Sequence, residues 1–282
     1  MTTSQTADSG EVLVIRPATR WSGVPLREIW AFRELLLLFT WREIKIRYRQ
    51  TALGALWALL QPLAMMLTFT IFFGRMAGLA HAVGNVAYPI YVYAGLLPWT
   101  FFANAVLNSG TSVQSSASLI TKVYFPRLVI PLSAVGAALV DFAVALTVLA
   151  ALMVWYHTAL TWQILLVPAL ILVTVVAATA VGTIASALIV AYRDFRYVIP
   201  FAIQLWMFLT PVIYPLSLAP PRFRWILKLN PMAGLIDGFR AAFLGVPPDW
   251  VGMGISTVFA FLLLWAGAAY FRRLERRFAD II

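Results

Sequence analysis

Residues 41–62 have the sequence Trp-Arg-Glu-Ile-Lys-Ile-Arg-Tyr-Arg-Gln-Thr-Ala-Leu-Gly-Ala-Leu-Trp-Ala-Leu-Leu-Gln-Pro. Basic and apolar residues are mixed in the first half, and the second half is almost entirely apolar. A cationic amphipathic segment therefore leads directly into an apolar run that is suited to begin a membrane span. Because Lys and Arg beside a span favour the cytoplasmic side, this junction predicts a membrane protein and also its orientation.

The composition of the whole chain agrees with this prediction. Of the 282 residues, 62% are hydrophobic and 11% charged, and the mean hydropathy is +0.87. One water-soluble core cannot bury that much apolar surface. The net charge of +10 favours cytoplasmic anchoring over nucleic-acid binding, because no soluble basic domain exists to carry the latter. The absence of cysteine excludes disulfides and thiolate metal sites.

Six long apolar runs predict six transmembrane helices, at about 53–74, 88–108, 128–155, 162–191, 198–214 and 250–270. Most of the 21 basic residues precede the first run, follow the second and fourth, or close the chain. The positive-inside rule then places both termini in the cytoplasm. Residues 1–23 are predicted to form a flexible tail without a cleavable signal, and 272–282 a second cytoplasmic tail.

Three further segments carry their own predictions. Residues 24–52 are expected to form an amphipathic helix in the membrane interface, the alternative being a flank that merely anchors the first span. Residues 113–126 are expected to form a short helix along the cytoplasmic surface. Residues 215–248 contain apolar stretches too short to span, which favours a pair of re-entrant helices over a structureless outer loop.

Sequence motifs for catalysis are missing. There is no phosphate-binding Gly-rich loop, no His-Glu-x-x-His and no paired acids for Mg²⁺, and His81 and His157 stand alone. Asp141 lies near the middle of the third run, where a carboxylate is costly. It is either a proton relay or substrate contact, or a buried carboxylate bonded to Ser or Thr on a neighbouring helix. The second interpretation is favoured, because no other intramembrane charge is evident to accept a proton.

Several short motifs together resemble the membrane subunits of ABC-2 type exporters that move lipid-linked polysaccharides, such as O-antigen, capsule and teichoic acid permeases. The matching pieces occur in order from about residue 25 to the C-terminus. They are Trp-Arg-Glu-Ile-Lys-Ile-Arg-Tyr at 41–48, Ala-Gly-Leu-Leu-Pro-Trp at 94–99, Lys-Val-Tyr-Phe-Pro-Arg at 122–127, Arg-Asp-Phe at 193–195, Thr-Pro-Val-Ile-Tyr-Pro at 210–215, Asn-Pro-Met at 230–232 and Phe-Arg at 239–240.

The resemblance implies an all-α ABC-2, or type V, exporter fold over residues 53–271, in the cytoplasmic membrane. It implies a homodimer on two copies of a separate ABC ATPase, which would hold ATP and Mg²⁺, so that this chain is not an enzyme and has no cofactor of its own. The segment at 113–126 would be the coupling helix for the ATPase, acting through Ser118, Lys122, Tyr124, Phe125 and Arg127.

The substrate path is also predicted. The interface helix would position the lipid diphosphate headgroup through Arg42, Lys45, Arg47 and Arg49, the segment at 215–248 would contribute to an outward gate, and a channel would form between protomers from the first and fifth spans. Aromatic side chains suit the sliding of a polymer past a channel wall, although each of them also fits a packing role. The candidates are Trp57, Phe69, Phe73, Tyr91, Trp99, Phe201, Trp206, Phe208 and Tyr214.

Two alternatives remain at this point. The same architecture serves exporters of drugs or small lipids, and the aromatic series favours polysaccharide without identifying it. A membrane glycosyltransferase or acyltransferase would need a catalytic His or clustered acids at a membrane face, which the sequence does not offer.

Overall fold

A computed structural model describes residues 26–49, 56–84 and 86–281 of the chain, with side chains up to residue 275. The predicted tail at 1–23 lies outside the described residues. Helices account for nearly all regular structure in the described part, which contains no β-strand. They are α1 Leu26–Ala31, α2 Arg33–Tyr48, α3 Leu56–Phe69, α4 Tyr88–Ser115, α5 Ala117–Ile120, α6 Val129–Trp155, α7 Val167–Ala191, α8 Phe195–Leu209, α9 Pro221–Lys228, α10 Ala233–Leu244 and α11 Trp250–Ile281.

Five helices in the described part are long and apolar enough to cross a membrane. They are Leu56–Met76, Tyr88–Ser115, Val129–Trp155, Trp162–Ala191 and Trp250–Glu275. The first is α3 continued by a π-helical turn, and the fourth is α7 preceded by a short 3₁₀ helix. All five coincide with predicted apolar runs, and they confirm the all-helical membrane-protein class.

The fifth predicted span, 198–214, is shorter than expected. Its helix α8 begins at Phe195 and ends at Leu209, after 15 residues, or about 22 Å of helix against a hydrocarbon core of about 30 Å. Thr210 is extended, with ψ of 138°, because the ring of Pro211 disfavours the helical conformation of the residue before it. The six-span prediction is therefore confirmed for five helices only.

Helix α4 is the centre of the fold. Of its most apolar stretch, 78% is buried in the protein, against 33% or less in the other four spans. Helices α3, α6, α7, α8 and α10 all contact α4. Helix α3 has only 17% of its apolar stretch buried, and most α8 side chains are also exposed. These two helices leave large apolar faces open on the protomer.

Two short helices occupy the connection between α8 and α11. Helix α9 has no buried residue, whereas nearly every side chain of α10 is buried among α4, α7 and α11. A carbon added at Gly234 of α10 would lie 2.1 Å from the Gly252 carbonyl oxygen, so glycine is required for the close approach of α10 to α11. The segment is thus built as paired helices and not as a structureless loop.

A second, smaller core joins α2, the 121–128 turn and α11 with α5 and the adjoining ends of α4, α6 and α7. Phe39 of α2, Phe125 of the 121–128 turn and Phe271 of α11 are buried together there, and the Phe39 and Phe125 rings meet edge-on at 5.5 Å. The predicted surface helix at 113–126 is instead the end of α4, the four-residue α5 and a turn. The predicted interface helix at 24–52 is divided at Phe32 into α1 and α2, and residues 50–55 lie outside the described part. The predicted tail at 272–282 continues α11 as far as Ile281.

The burial of Phe125 predicts a stability effect. Phe125 is 5% exposed, so Phe125→Ala should lower the free energy of unfolding by about 3–5 kcal/mol through the cavity it leaves. The adjacent Tyr124 is 72% exposed, and Tyr124→Ala should change stability by no more than about 0.5 kcal/mol. Heat treatment of the detergent-solubilised variants followed by size-exclusion chromatography compares them. Equal thermal midpoints for the two variants would contradict the packing described here.

Candidate functional site

A cavity of about 270 Å³ lies where the end of α2 meets α3, α4 and α6; it is called the junction cavity here. Its polar lining comes from four helices, and aromatic rings complete the wall. The lining includes Arg47, Tyr48, Trp57, Gln61, Thr100, Phe101, Asn104, Asn108, Asp141 and Phe142. Two predicted site residues, Arg47 and Trp57, therefore meet here, together with Asp141.

Asp141 is held by two side chains of α2. Arg47 Nη1 donates to Asp141 Oδ2 in an ion pair, and the Tyr48 hydroxyl donates to Oδ1. Burial and the hydrogen bond to Asp141 raise the pKa of Tyr48 to about 12, so the phenol remains a donor at neutral pH. The structure thus supplies a cationic partner from the interface helix where a neighbouring Ser or Thr was expected. Because 94 residues separate Arg47 from Asp141, no local pattern reveals this pair.

Three carboxamides also face the junction cavity: Gln61 of α3, and Asn104 and Asn108 of α4. The two asparagines are one helical turn apart and so share one face of α4. Within the described residues, none of the three amides hydrogen-bonds to another protein group. Thr100 lies on the same face and donates its hydroxyl to the Leu97 carbonyl at 3.1 Å. These polar residues were not predicted from the sequence, although the i, i+4 spacing of Asn104 and Asn108 is a usable signal.

The four predicted headgroup cations divide into two pairs. Arg42 points inward, donating to Glu43 at 2.9 Å and to Ser116 at 3.3 Å, and Arg47 is engaged by Asp141. Lys45 and Arg49 are exposed and line an open depression together with Ile44 and Tyr48. In the described part of the chain, neither Lys45 nor Arg49 has a carboxylate partner.

The predicted coupling residues lie on two sides of their segment. Ser118, Lys122 and Tyr124 are exposed, whereas Phe125 is buried against Phe39. Arg127 donates its backbone N–H to Glu275 Oε1 at 3.2 Å, and its guanidinium to the Glu275 carbonyl. The exposed side therefore presents a contact surface, and the other side fixes the segment to α2 and α11.

The aromatic residues that were predicted to line a channel differ in their burial. Trp57, Phe201 and Phe208 are exposed on α3 and α8. Phe69, Phe73, Trp206 and Tyr214 are partly buried. Tyr91 and Trp99 are buried in the protomer core, 7% and 2% exposed, and Trp99 packs edge-on against Trp206 at 6.3 Å. The aromatic set therefore does not form one continuous wall within the protomer.

A buried arginine secures the turn that follows α8. Arg240 of α10 is 2% exposed and donates from Nη1 to the Pro211 carbonyl at 2.8 Å and from Nη2 to the Val212 carbonyl. Its guanidinium carbon lies 3.9 Å from the ring centre of Tyr91, and Asp237 supplies the counter-charge at 3.2 Å. Here the sequence motif Phe-Arg at 239–240 meets the motif at 210–215.

Asn230 forms a second polar link at the same turn. Its side-chain oxygen accepts from Trp206 Nε1 at 3.1 Å and from the backbone N–H of Met232 at 3.0 Å. Its side-chain nitrogen donates to the Thr210 hydroxyl at 2.8 Å. Asn230 therefore joins the end of α8 to the beginning of α10.

These features define a class: a multi-span helical membrane protein with a polar cavity between its helices and an exposed surface segment. Within the described residues, no group of three or more His, Cys, Asp or Glu side chains is placed to hold a metal ion.

Comparison with known proteins assigns the chain to a family. The model of the ABC-2 type transporter family matches residues 34–244, and the chain belongs to that family. It is 32% identical over 261 residues to the O-antigen export system permease protein RfbA of Myxococcus xanthus, covering 91% of this chain and 98% of the relative. RfbA of Klebsiella pneumoniae is 30% identical over 251 residues, covering 88% and 95%. The polysialic acid transport protein KpsM of Escherichia coli is 25% identical over 252 residues, covering 83% and 91%.

The Arg47–Asp141 pair predicts measurable coupling between α2 and α6. In a double-mutant cycle with Arg47→Ala and Asp141→Ala, the interaction energy should be about 0.5–3 kcal/mol, as expected for contacting charges. The more exposed Arg42–Glu43 pair, treated in the same way, should give less than about 1 kcal/mol. Reversible unfolding in mixed micelles provides the four free energies of each cycle. Additive effects at Arg47 and Asp141 would show that the contact is not energetically significant.

The burial of Arg240 predicts a larger effect on stability than that of the Arg47–Asp141 pair. Arg240→Met should lower the free energy of unfolding by about 3–5 kcal/mol or prevent folding, because it leaves buried carbonyls and Asp237 without their donor. Arg240→Lys should be intermediate, since an ammonium cannot reproduce the guanidinium fork. The exposed Arg222 gives the control, and Arg222→Met should stay within about 0.5 kcal/mol of the parent. Thermal midpoints measure all three, and an Arg240→Met protein as stable as Arg222→Met would refute this role.

Proposed function

We propose that the chain is the permease subunit of an ATP-driven exporter that moves a lipid-linked polysaccharide, such as O-antigen, across the cytoplasmic membrane. The observation that carries the proposal is the similarity to two O-antigen export permeases, which extends over 95% or more of each relative. The similarity to a polysialic acid transport protein also points to an extended glycan rather than to a drug or a small lipid.

The proposed assembly is a homodimer with both termini in the cytoplasm. Helices α3 and α8 support it, because both leave apolar and aromatic side chains exposed on the protomer, including Trp57, Phe201 and Phe208. Apolar faces that extend along whole helices are expected to be covered by lipid or by another protein surface. In the proposal they meet across the two-fold axis and line the glycan path. The fifth span is then completed by α8 together with the turn that follows it.

The proposed partner is a pair of cytoplasmic ABC ATPase subunits, which carry ATP and Mg²⁺. The exposed side of the coupling segment supports this assignment, because Val123 and Tyr124 are 56% and 72% exposed beside the cationic Lys122. An aromatic and aliphatic pair on a turn that is anchored from behind suits insertion into a groove of a partner protein. Closure of the ATPase dimer would then move the segment and, through Phe39, α2.

Variants of the exposed side test this assignment in cells. Tyr124→Ala and Lys122→Glu should reduce surface polysaccharide at least tenfold and release the ATPase during affinity purification, because they alter the contact without disturbing the buried Phe125. Membrane levels of the permease should remain unchanged. Export and ATPase recovery are measured in a strain that lacks the chromosomal copy.

The matched control is Trp155→Ala at the end of α6, which also removes an exposed aromatic side chain and should leave both readouts intact. Normal export and normal ATPase recovery in the Tyr124 and Lys122 variants would disprove the coupling surface. A strain without the chain that still displays its full polysaccharide would disprove the export function itself.

A further inference from the structure

The junction cavity and the open depression beside it are neighbouring sites of different chemistry. Tyr48 lines both of them. The depression carries Lys45 and Arg49, which lack a carboxylate partner in the described part of the protein. The cavity carries one cation and one anion, Arg47 and Asp141, and these are paired with each other. A cationic surface therefore adjoins an electrically balanced polar cavity.

The cavity lining is suited to a neutral group that is rich in hydroxyls. Gln61, Asn104 and Asn108 offer amide donors and acceptors that other described residues do not use. Polar groups inside a membrane protein are costly unless they are hydrogen-bonded. Trp57 and Phe101 add flat apolar faces to the same wall. Carboxamides together with aromatic faces match the hydroxyl edges and C–H faces of a sugar ring.

Charge and size restrict the occupant further. An additional anion in the cavity would meet the Asp141 carboxylate, and an additional cation would meet Arg47, so that either would be desolvated without a free counter-charge. The volume of about 270 Å³ is just below the range of about 300–1,000 Å³ that is typical of drug-sized ligands. The cavity therefore suits a small neutral unit and excludes a folded length of polymer.

We infer that the junction cavity binds the sugar unit next to the diphosphate of the lipid-linked glycan, while Lys45 and Arg49 bind the diphosphate. This inference rests on the proposed function and deepens it. The arrangement explains why one tyrosine borders both sites: the anion and the first sugar of such a lipid are covalently adjacent, so their binding sites must be adjacent too. The neutral cavity then distinguishes a loaded lipid from the bare carrier.

Lipid binding to the purified full-length protein in nanodiscs provides the test. Two probes are compared: polyprenyl diphosphate, and polyprenyl diphosphate that carries one hexose. Sugar-headed detergents are excluded, because a maltoside would compete for the cavity. The parent protein should bind the hexose-bearing lipid at least tenfold more tightly than the sugar-free lipid.

The variants separate the two sites. Asn104→Leu and Asn108→Leu should reduce the preference for the hexose-bearing lipid over the sugar-free lipid to less than twofold. The dissociation constant of the sugar-free lipid should remain unchanged. Lys45→Gln should weaken the binding of both lipids by the same factor. Gln61→Leu, at the exposed mouth of the cavity, provides a milder change if a partly buried asparagine proves necessary for folding.

A matched pair of threonines controls for the loss of a polar group within a span. Thr100 lines the cavity, whereas Thr147 of α6 is exposed outside it, and each donates its hydroxyl to the carbonyl three residues earlier. Thr100→Val should reduce the preference for the hexose-bearing lipid, and Thr147→Val should not.

The remaining outcomes distinguish failure of the sugar site from failure of the proposed export function. Equal affinity of the parent for the two lipids, or a full preference in both asparagine variants, would overturn the sugar site and leave the export function standing. If neither lipid binds but cells still need the chain for surface polysaccharide, both the sugar site and the diphosphate site are overturned, and the export function stands. If cells without the chain keep their polysaccharide, the proposed function fails first.

Discussion

The fold depends on a guanidinium that is buried where a helix is broken. Pro211 prevents α8 from continuing, and the carbonyls of the turn then lack helical donors in an apolar core. Arg240 supplies those donors from α10. A carbon at Gly95 would lie 2.6 Å from the guanidinium, so α4 must carry glycine there. One buried cation therefore fixes α4, α8 and α10 relative to one another.

This constraint gives a physical reason for motifs that are far apart in the sequence. The glycine at 95, the Thr-Pro-Val stretch at 210–212, Asn230 and Arg240 appear unrelated along the chain, but in the structure they surround a single turn. Each satisfies or accommodates a polar group that would otherwise be costly in a membrane. Their joint presence is therefore a requirement of the turn, before any role in transport is considered.

Features of the fold that depend on local sequence were predicted well. Features that depend on contacts between distant residues were not. The length and hydropathy of an apolar run are local, so the first residues of five spanning helices were located to within three residues. The apolar run continues to Tyr214, so hydropathy alone does not reveal that α8 ends at Leu209, where Pro211 stops the helix. Tyr91 and Trp99 were expected in a channel. The sequence does not distinguish an aromatic side chain that faces a pore from one that packs against other helices of the protomer. The Arg47–Asp141 contact joins residues 94 positions apart, and only the packing of α2 on α6 reveals it.

Helix α2 is tied at two points that belong to different parts of the proposed cycle. Near its middle, Phe39 packs on Phe125 and Arg42 donates to Ser116, and these contacts fix α2 to the segment at 113–126. At its end, Arg47 and Tyr48 hold Asp141 beside the junction cavity. Because an uninterrupted α-helix transmits displacement along its axis with little internal deformation, a force applied at Phe125 cannot move α2 without loading the Asp141 contacts. The structure thus ties two features to one rigid helix: the segment at 113–126, which is the proposed ATPase contact, at its middle, and the lining of the junction cavity at its end.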